Sequence, residues 1–392
     1  ERVMTELIYD GMRSTEEDEL AAVLGRTFAF PPVDAAPWFD AAGREHIRVV
    51  RSRRGIEGGL IMLPMAQAFG GTWVPMVGIA GVGVRSDARR GGIASFMMRK
   101  TIAEIGERGA LSTLYASNAP LYRRAGYEAA GARFRGKLGP REIKESLREL
   151  KLVELDGAHE HGVRELYCRV AVRRNGHLDR GRYIWQRLHG VRFGIQAHGL
   201  GLVGDAGLEG YVFYRQKRAE LFHSLEVTDW IAATPRAHRQ LWTTLADLGT
   251  MVERVEFPTA PNDPILLSHP DPRCAIEHQE NWMLRVADVP RALEARGWPA
   301  GPRTRFSLRV HDDGVPGNDR AFELEIADGR AHVEPGGDGA IEIDVRGLAT
   351  LFAGFATPWT LVELGLVKGD AEEIARLGPC FSDGAPWMQE MF

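Results

Sequence analysis

The sequence predicts a mixed α/β (α+β) protein made of successive sheet-and-helix units, and three observations carry that reading. Residues 76–127 run strand, glycine turn, helix, strand, short helix. A fainter copy of the same order runs over residues 224–248. Beyond Val289, strands that alternate apolar and polar residues are followed by helices, the pattern of a small α+β layer. At 392 residues the chain is too long for one core. The expected divisions are 1–137, 138–288 and 289–392.

Composition narrows the function classes. Charged residues at 26% and apolar residues at 44% are ordinary for a globular protein. A net charge of −4 gives no general attraction to nucleic acid or to an anionic membrane. Cys168, Cys274 and Cys380 are odd in number and far apart, with no metal or disulfide spacing, which favours a reducing, cytoplasmic setting. His159 and His161 sit at i and i+2, which point apart on a helix, so no metal site is expected. The N-terminal region carries Glu16-Glu17-Asp18-Glu19 and no apolar core of a secretory signal.

The first division opens with an amphipathic helix over residues 15–28, with Leu20, Val23 and Leu24 on one face. Antiparallel strands are expected at 47–51 and 60–63. Phe28, Phe30, Trp38 and Phe39 fall in the region after the helix, where aromatics serve most often as core and sometimes as a substrate wall. Residues 58–84 hold no charge in 27 positions but carry seven glycines and two prolines. The Gly58-Gly59 and Gly70-Gly71 pairs break any membrane span, so this stretch reads as buried strands joined by a turn.

The apolar strand ending in Val82-Gly83-Val84 leads into Arg89-Arg90-Gly91-Gly92-Ile93-Ala94-Ser95. Gly91 and Gly92 lack a Cβ, so a ligand can approach the backbone. The helix starting there turns unpaired N–H groups outward, a site for a pyrophosphate, and Arg89 and Arg90 add charge. Neither a P-loop lysine nor a G-x-G-x-x-G follows. On the glycine pair alone, a plain strand-to-helix turn with two solvated arginines is the favoured reading. Arg89-x-x-Gly92-x-Ala94 after Val82-x-Val84 resembles the acyl-CoA signature of the GNAT superfamily of N-acyltransferases. Ser117-Asn118 followed by Leu121-Tyr122-Arg123-Arg124-Ala125-Gly126-Tyr127 resembles that superfamily's next motif, in which a tyrosine lies over the thioester sulfur. The resemblance implies acetyl-CoA bound by residues 82–84, 89–95, Ser117 and Asn118. Gly91 departs from it, because an arginine is more usual there.

In the second division, a charged connecting helix is expected over residues 141–151 and a helix over 163–172. Residues 210–214 and 219–223 read as paired strands. The copy of the opening stretch then runs through Ala233-Thr234-Pro235-Arg236 into a helix with Leu241, Leu245 and Leu248. It has no glycines where Gly91 and Gly92 stand, which points to a second GNAT-like fold without a CoA site. In the third division, strands at 306–310, 322–326 and 341–345 are separated by turn sequences, with helices expected at 346–355, 360–366 and 370–377. With Gly365-Leu366-Val367-Lys368-Gly369-Asp370, this part resembles a sterol-carrier-protein-like domain.

The three-part order resembles the enhanced intracellular survival family of bacterial N-acetyltransferases, across the whole chain. That resemblance implies Tyr122 as general acid and the terminal carboxylate of Phe392 as general base, with Glu390 able to help attract a cationic amine. On the residues alone, the alternative for Tyr122 is a packed aromatic on a helix, and Phe392 reads as a frayed terminus. The family implies acetyl transfer from acetyl-CoA to a primary amine: an aminoglycoside-like compound, a peptide lysine or a polyamine. It also implies a homohexamer. The alternative is a catalytically weak acyl-CoA or lipid carrier that uses the last division.

Overall fold

A computed structural model describes residues 6–218, 222–269, 274–382 and 384–392. Two compact units emerge: Glu1–Gly131 with Asn281–Gly384 and Phe392, and Ala132–Glu280 with Ala385–Met391. In chain order the elements begin β1 (Ile8–Gly11), α1 (Glu17–Phe28), α2 (Ala35–Ala42), β2 (Ile47–Ser52), β3 (Gly55–Phe69) and β4 (Thr72–Val84). Next come α3 (Ile93–Arg108), β5 (Leu111–Tyr115), α4 (Ala119–Arg123), β6 (Glu128–Leu138), β7 (Lys151–Leu155) and α5 (Glu160–Ala171). They continue as β8 (Leu178–Asp179), α6 (Arg182–His189), β9 (His198–Gly204), β10 (Gly207–Arg218), β11 (His223–Ala232), α7 (Pro235–Asp247), β12 (Val252–Thr259) and α8 (Pro264–Leu267). The remainder is β13 (Ala275–Val286), α9 (Val289–Ala295), β14 (Thr304–His311), β15 (Ala321–Ala327), β16 (Arg330–Pro335) and β17 (Ile341–Asp344). Last come α10 (Val345–Ala353), α11 (Pro358–Glu363), β18 (Val367–Gly369) and α12 (Ala371–Leu377).

In the first unit, β1 to β4 form an antiparallel sheet, β5 joins β4 in parallel, and Trp282–Val286 of β13 close the far side against β5. The uncharged stretch 58–84 is the β3–β4 hairpin, and it turns at Gly70 (φ 61°) and Gly71 (φ 79°), dihedrals that glycine adopts without strain. α1 packs on this sheet because Leu20, Val23 and Leu24 share one face, and its first turn carries Glu17, Asp18 and Glu19 at the positive end of the helix dipole. Ile93, Met97, Met98, Ile102 and Ile105 of α3 are buried in a core with Leu60, Ile79 and Leu114. The same unit holds a five-stranded sheet ordered β16-β15-β14-β17-β18, in which β14 and β17 are parallel.

The second unit repeats the first sheet's order: β7, β9, β10 and β11 antiparallel, β12 parallel to β11, and residues 134–138 of β6 antiparallel to β12. The closing strands are exchanged along the sequence. β6 follows the first repeat yet closes the second sheet, and β13 follows the second repeat yet closes the first. Glycines make room for this: Gly136 lies against the ring of Phe257 in the second unit, and Gly131 against Trp282 in the first.

Two expectations fail here. Residues 141–151 form no long helix; only Pro140–Glu142 make a 3-10 turn before β7. Side chains take up the backbone instead. Glu145 accepts from Ser146 and Leu147 N–H, and the Gln240 amide oxygen accepts from Glu149 and Leu150 N–H. The strand expected at 219–223 lies largely outside the described residues, since Ala219, Glu220 and Leu221 are not among them; β10 pairs instead with β11, from His223 onward.

Candidate active site

The site begins where two parallel strands part. Met76–Ile79 of β4 pair with Leu111–Leu114 of β5, and beyond Ile79 the register with β5 ends while β4 continues to Val84. At that point β4 carries one residue more than its other neighbour, since Ile61 faces Ala80 but Gly59 faces Gly83. The extra residue makes a β-bulge at Gly81, whose φ of 61° re-aims the backbone. A methyl at Gly81 would lie 2.6 Å from Trp38 Cη2, so that indole closes over the bulge. Phe28 and Phe30 meet the indole edge-on, whereas Phe39 is fully buried core. Of the four aromatics, Trp38 is the one that covers the bulge.

β4 then feeds the turn before α3. Arg85 Nη2 pairs with Glu57 at 2.8 Å and its Nε with Asp87 at 2.7 Å, while Arg54 also pairs with Asp87. Arg89 and Arg90 are exposed at the apex. The left-handed residues are Arg90 (φ 64°) and Gly92 (φ 83°), and Gly91 is not one of them. An arginine held left-handed is an uncommon conformation of the kind that gathers at ligand sites. The role expected of Gly91 therefore divides: Gly92 supplies the unusual dihedral, and Gly91 keeps the apex small. Nothing lies within 4 Å of where a Cβ on Gly92 would stand. The first bond of α3 is Phe96 N–H to Gly92 C=O at 2.9 Å, which leaves the N–H groups of Ile93, Ala94 and Ser95 turned outward at the positive end of the dipole. These residues fit a pyrophosphate: open backbone, three unpaired donors and two exposed guanidiniums.

The second motif lies across the gap. Ser117 and Asn118 are exposed, and Asn118 caps α4 without a side-chain hydrogen bond. Tyr122 on α4 is 4% exposed and meets Tyr127 edge-on at 6.0 Å. Tyr127 is pinned, its hydroxyl 2.7 Å from Ser112 Oγ, which in turn donates to Val77 C=O at 3.0 Å. The Tyr122 hydroxyl has no hydrogen-bond partner among the described residues. Burial pushes its pKa up to about 12, so it keeps its proton at neutral pH.

Phe392 lies against the same two strands. A methyl at Gly78 would lie 2.8 Å from Phe392 Cε2, and the ring packs edge-on against Tyr115 at 5.8 Å. Phe392 is thus seated on β4 and β5 just before they part, 9% exposed. Glu390 is a correction. It is 1% exposed in the second unit, where its Oε1 accepts from Arg180 Nε at 2.5 Å and from the Tyr167 hydroxyl at 3.2 Å, so its charge is not free to attract an amine.

The second unit shows what the same frame becomes without the open turn. β11 leaves β12 after Glu226, and its bulge falls at Thr228 between the pairs Tyr214–Val227 and Phe213–Asp229. Thr228 Oγ1 closes the bulge by donating to Leu188 C=O at 2.9 Å. The next residue, Asp229, is fully buried and accepts from Arg180 Nη1 at 2.6 Å, His189 Nε2 at 2.8 Å and the Tyr211 hydroxyl at 2.9 Å. At the helix start, the Thr234 side chain accepts from Ala237 N–H and Pro235 takes the first position. Glu209 sits beside it, accepting from Thr234 Oγ1 at 2.6 Å and Arg236 Nε at 2.9 Å. A carboxylate of the protein itself thus pairs with the Thr234 hydroxyl and the Arg236 guanidinium beside this helix start.

Comparison with known proteins follows the same division. Models of the acetyltransferase (GNAT) domain match residues 9–130 and 176–286, and the sterol carrier protein domain matches 289–389. An uncharacterized N-acetyltransferase of Streptomyces avermitilis is 30% identical over 352 residues, 83% of each chain. The chain belongs to the enhanced intracellular survival family of GNAT N-acetyltransferases. The N-acetyltransferase Eis of Mycobacterium tuberculosis is 29% identical over 94% of each chain. Among solved structures, a GCN5-related N-acetyltransferase from Anabaena variabilis is 30% identical with a TM-score of 0.95, covering 99% of this chain and 100% of that one. As a member of this family the chain is an N-acetyltransferase, and GNAT enzymes generally take acetyl-CoA as cosubstrate. No helix among the described residues is long and apolar enough to cross a membrane.

Proposed function

We propose that the first unit transfers acetyl from acetyl-CoA directly to a primary amine, with both substrates bound together. What supports this is that one pair of strands, β4 and β5, leads into the open turn before α3 and into Tyr122 on α4, and also carries the seated Phe392. Acetyl-CoA supplies an activated acetyl thioester. Arg89, Arg90 and the N–H groups of Gly92 to Ser95 hold its diphosphate, with Gly91 leaving room at the apex, and Ser117 and Asn118 flank its pantetheine arm. A backbone N–H in the stretch Val82 to Val84, freed where β4 leaves β5, stabilises the oxyanion that develops as the amine attacks.

Tyr122 then donates its proton to the departing sulfur, a role suited to a phenol that burial keeps protonated. With Phe392 as the last residue, its α-carboxylate accepts the proton lost by the amine, directly or through water. The ordinary pKa of such a carboxyl is about 3.5, so its half of the work is largely electrostatic unless the closed site raises that value. Trp38 and Phe392 wall the acceptor side. The amine is an aminoglycoside-like compound, a peptide lysine or a polyamine. The second unit is read as a domain without a CoA site, the chain as cytoplasmic, and its assembly as a homohexamer.

Incubation with acetyl-CoA, a panel of amines and a thiol reagent tests the reading. Free CoA released in proportion to amine supports it. Lipid that co-purifies with protein showing no amine-dependent turnover would favour the carrier alternative instead.

A further inference from the structure

The second unit contains a cavity of about 700 Å³ that the proposed transfer does not use. It lies among the end of β7, the start of α5, α6 and the middle of β10. The volume is that of sites for small organic ligands. One wall is aromatic: Trp185, 6% exposed, His189, Phe213 and Tyr214. The His189 ring stacks on Phe213 with centroids 3.6 Å apart and planes 9° apart, and Trp185 meets it edge-on at 5.1 Å. The Gln196 amide braces this wall by donating to His189 C=O at 3.1 Å and Ala197 C=O at 2.8 Å.

The charges around the cavity divide into two kinds. Glu160 and Arg164 are already paired, and the Arg164 guanidinium covers Trp185 at 5.4 Å. Asp156 is taken by Ala158 N–H and His159. Glu154 and Arg182 are different: neither makes an ion pair or hydrogen bond among the described residues, and both are exposed at the cavity. His189 lines the same cavity. Its Nε2 faces the Asp229 carboxylate, whose pKa burial would raise but which Arg180 and His189 hold below the usual range. Burial outweighs that carboxylate and pushes the His189 pKa down, so the ring is neutral, with N–H toward Asp229 and a lone pair on Nδ1.

We propose that this cavity binds an α-amino-acid zwitterion with an aromatic or large apolar side chain, free or as a short peptide. Arg182 takes the carboxylate, Glu154 and the His189 lone pair take the ammonium, and the side chain lies against Trp185, Phe213 and Tyr214. An unpaired cation and an unpaired anion on one aromatic cavity suit a ligand carrying both charges, because a singly charged ligand would leave one of them without a partner. Binding here needs neither acetyl-CoA nor the first unit's chemistry, so it stands or falls apart from the transferase reading.

The test is equilibrium binding to the full chain of L-phenylalanine and the dipeptide Phe-Phe, against phenethylamine and 3-phenylpropionate, which each keep one charge. The zwitterions are expected to bind about tenfold tighter than either half. Arg182→Gln should weaken the zwitterions and 3-phenylpropionate about tenfold and leave phenethylamine unchanged; Glu154→Gln should do the reverse for the two halves. Both side chains are exposed, so both variants keep the fold. Tighter binding of Phe-Phe than of phenylalanine would assign a peptide, and the opposite a free amino acid. Absence of binding, equal affinity for all four probes, or binding untouched by both substitutions would overturn the proposal.

Discussion

The two repeated sheets have the same strand order, the same parallel pair that parts after four residues or fewer, and a bulge at the same place, yet they treat the space beyond the bulge in opposite ways. In the first unit the bulge residue is Gly81, the turn ends in left-handed Gly92, and three helix N–H groups are unspent. In the second the bulge residue is Thr228, Asp229 and Arg180 fill the space behind it, and Thr234, Pro235 and Glu209 finish the helix start. The frame is therefore separable from the open turn. The fold supplies a gap between strands, and a few side chains decide whether it stays open.

The largest effect that would sharpen this contrast lies at the acid. Tyr122→Phe keeps the ring packed on Tyr127 and removes the proton, so kcat should fall by roughly 10²–10⁴-fold while CoA binding persists. Because the Tyr122 pKa is raised to about 12, its acid form survives to high pH, and the wild-type pH–rate profile should show no alkaline fall from this group below about pH 10. A fall near pH 7–8 that vanishes in the variant would contradict the assignment.

Next in size is the plug of the second unit. Arg180→Met leaves Asp229 and Glu390 buried without their cation and should cost about 3–5 kcal/mol in denaturant unfolding. The sign of its pH dependence follows from Asp229, whose folded pKa is depressed. The wild-type contribution is present above the ordinary carboxyl value of about 3.9 and is lost as pH falls through the folded value. The gap between wild type and variant should therefore narrow as pH falls below about 4, and a gap that widens there would break the account.

One residue appended after Phe392 displaces the carboxylate and should lower turnover strongly, with acetyl-CoA affinity unchanged; unaltered turnover would remove that carboxylate from the chemistry. The smallest effect is at the closed turn. Thr234→Ala removes a cap and should cost about 1 kcal/mol of stability, with no second CoA bound.

Much of the first unit was legible because its features are local. The strand–turn–helix order at 76–127, the helices at 17–28 and 93–108, and the hairpin at Gly70-Gly71 follow from spacing and glycine alone. The exchange of β6 and β13 was not, since either strand pattern suits either sheet, and only the glycines at 131 and 136 against Trp282 and Phe257 mark the choice. Charge runs misled twice. Residues 141–151 looked helical, but Glu145 and Gln240 hold them open, and Glu390 looked like a free carboxylate while Arg180, 210 residues earlier in sequence, buries it. The Gly81 bulge carried a signal that went unread: glycines at 78, 81 and 83 in one strand are too many for packing alone.

Crystals of the full chain soaked with CoA test the central claim most directly. One molecule per chain is expected, with its diphosphate on the N–H groups of Gly92 to Ser95 and its sulfur beside the Tyr122 hydroxyl. Diphosphate at the Thr234–Pro235 turn, or an empty gap between β4 and β5 at saturating ligand, would contradict it.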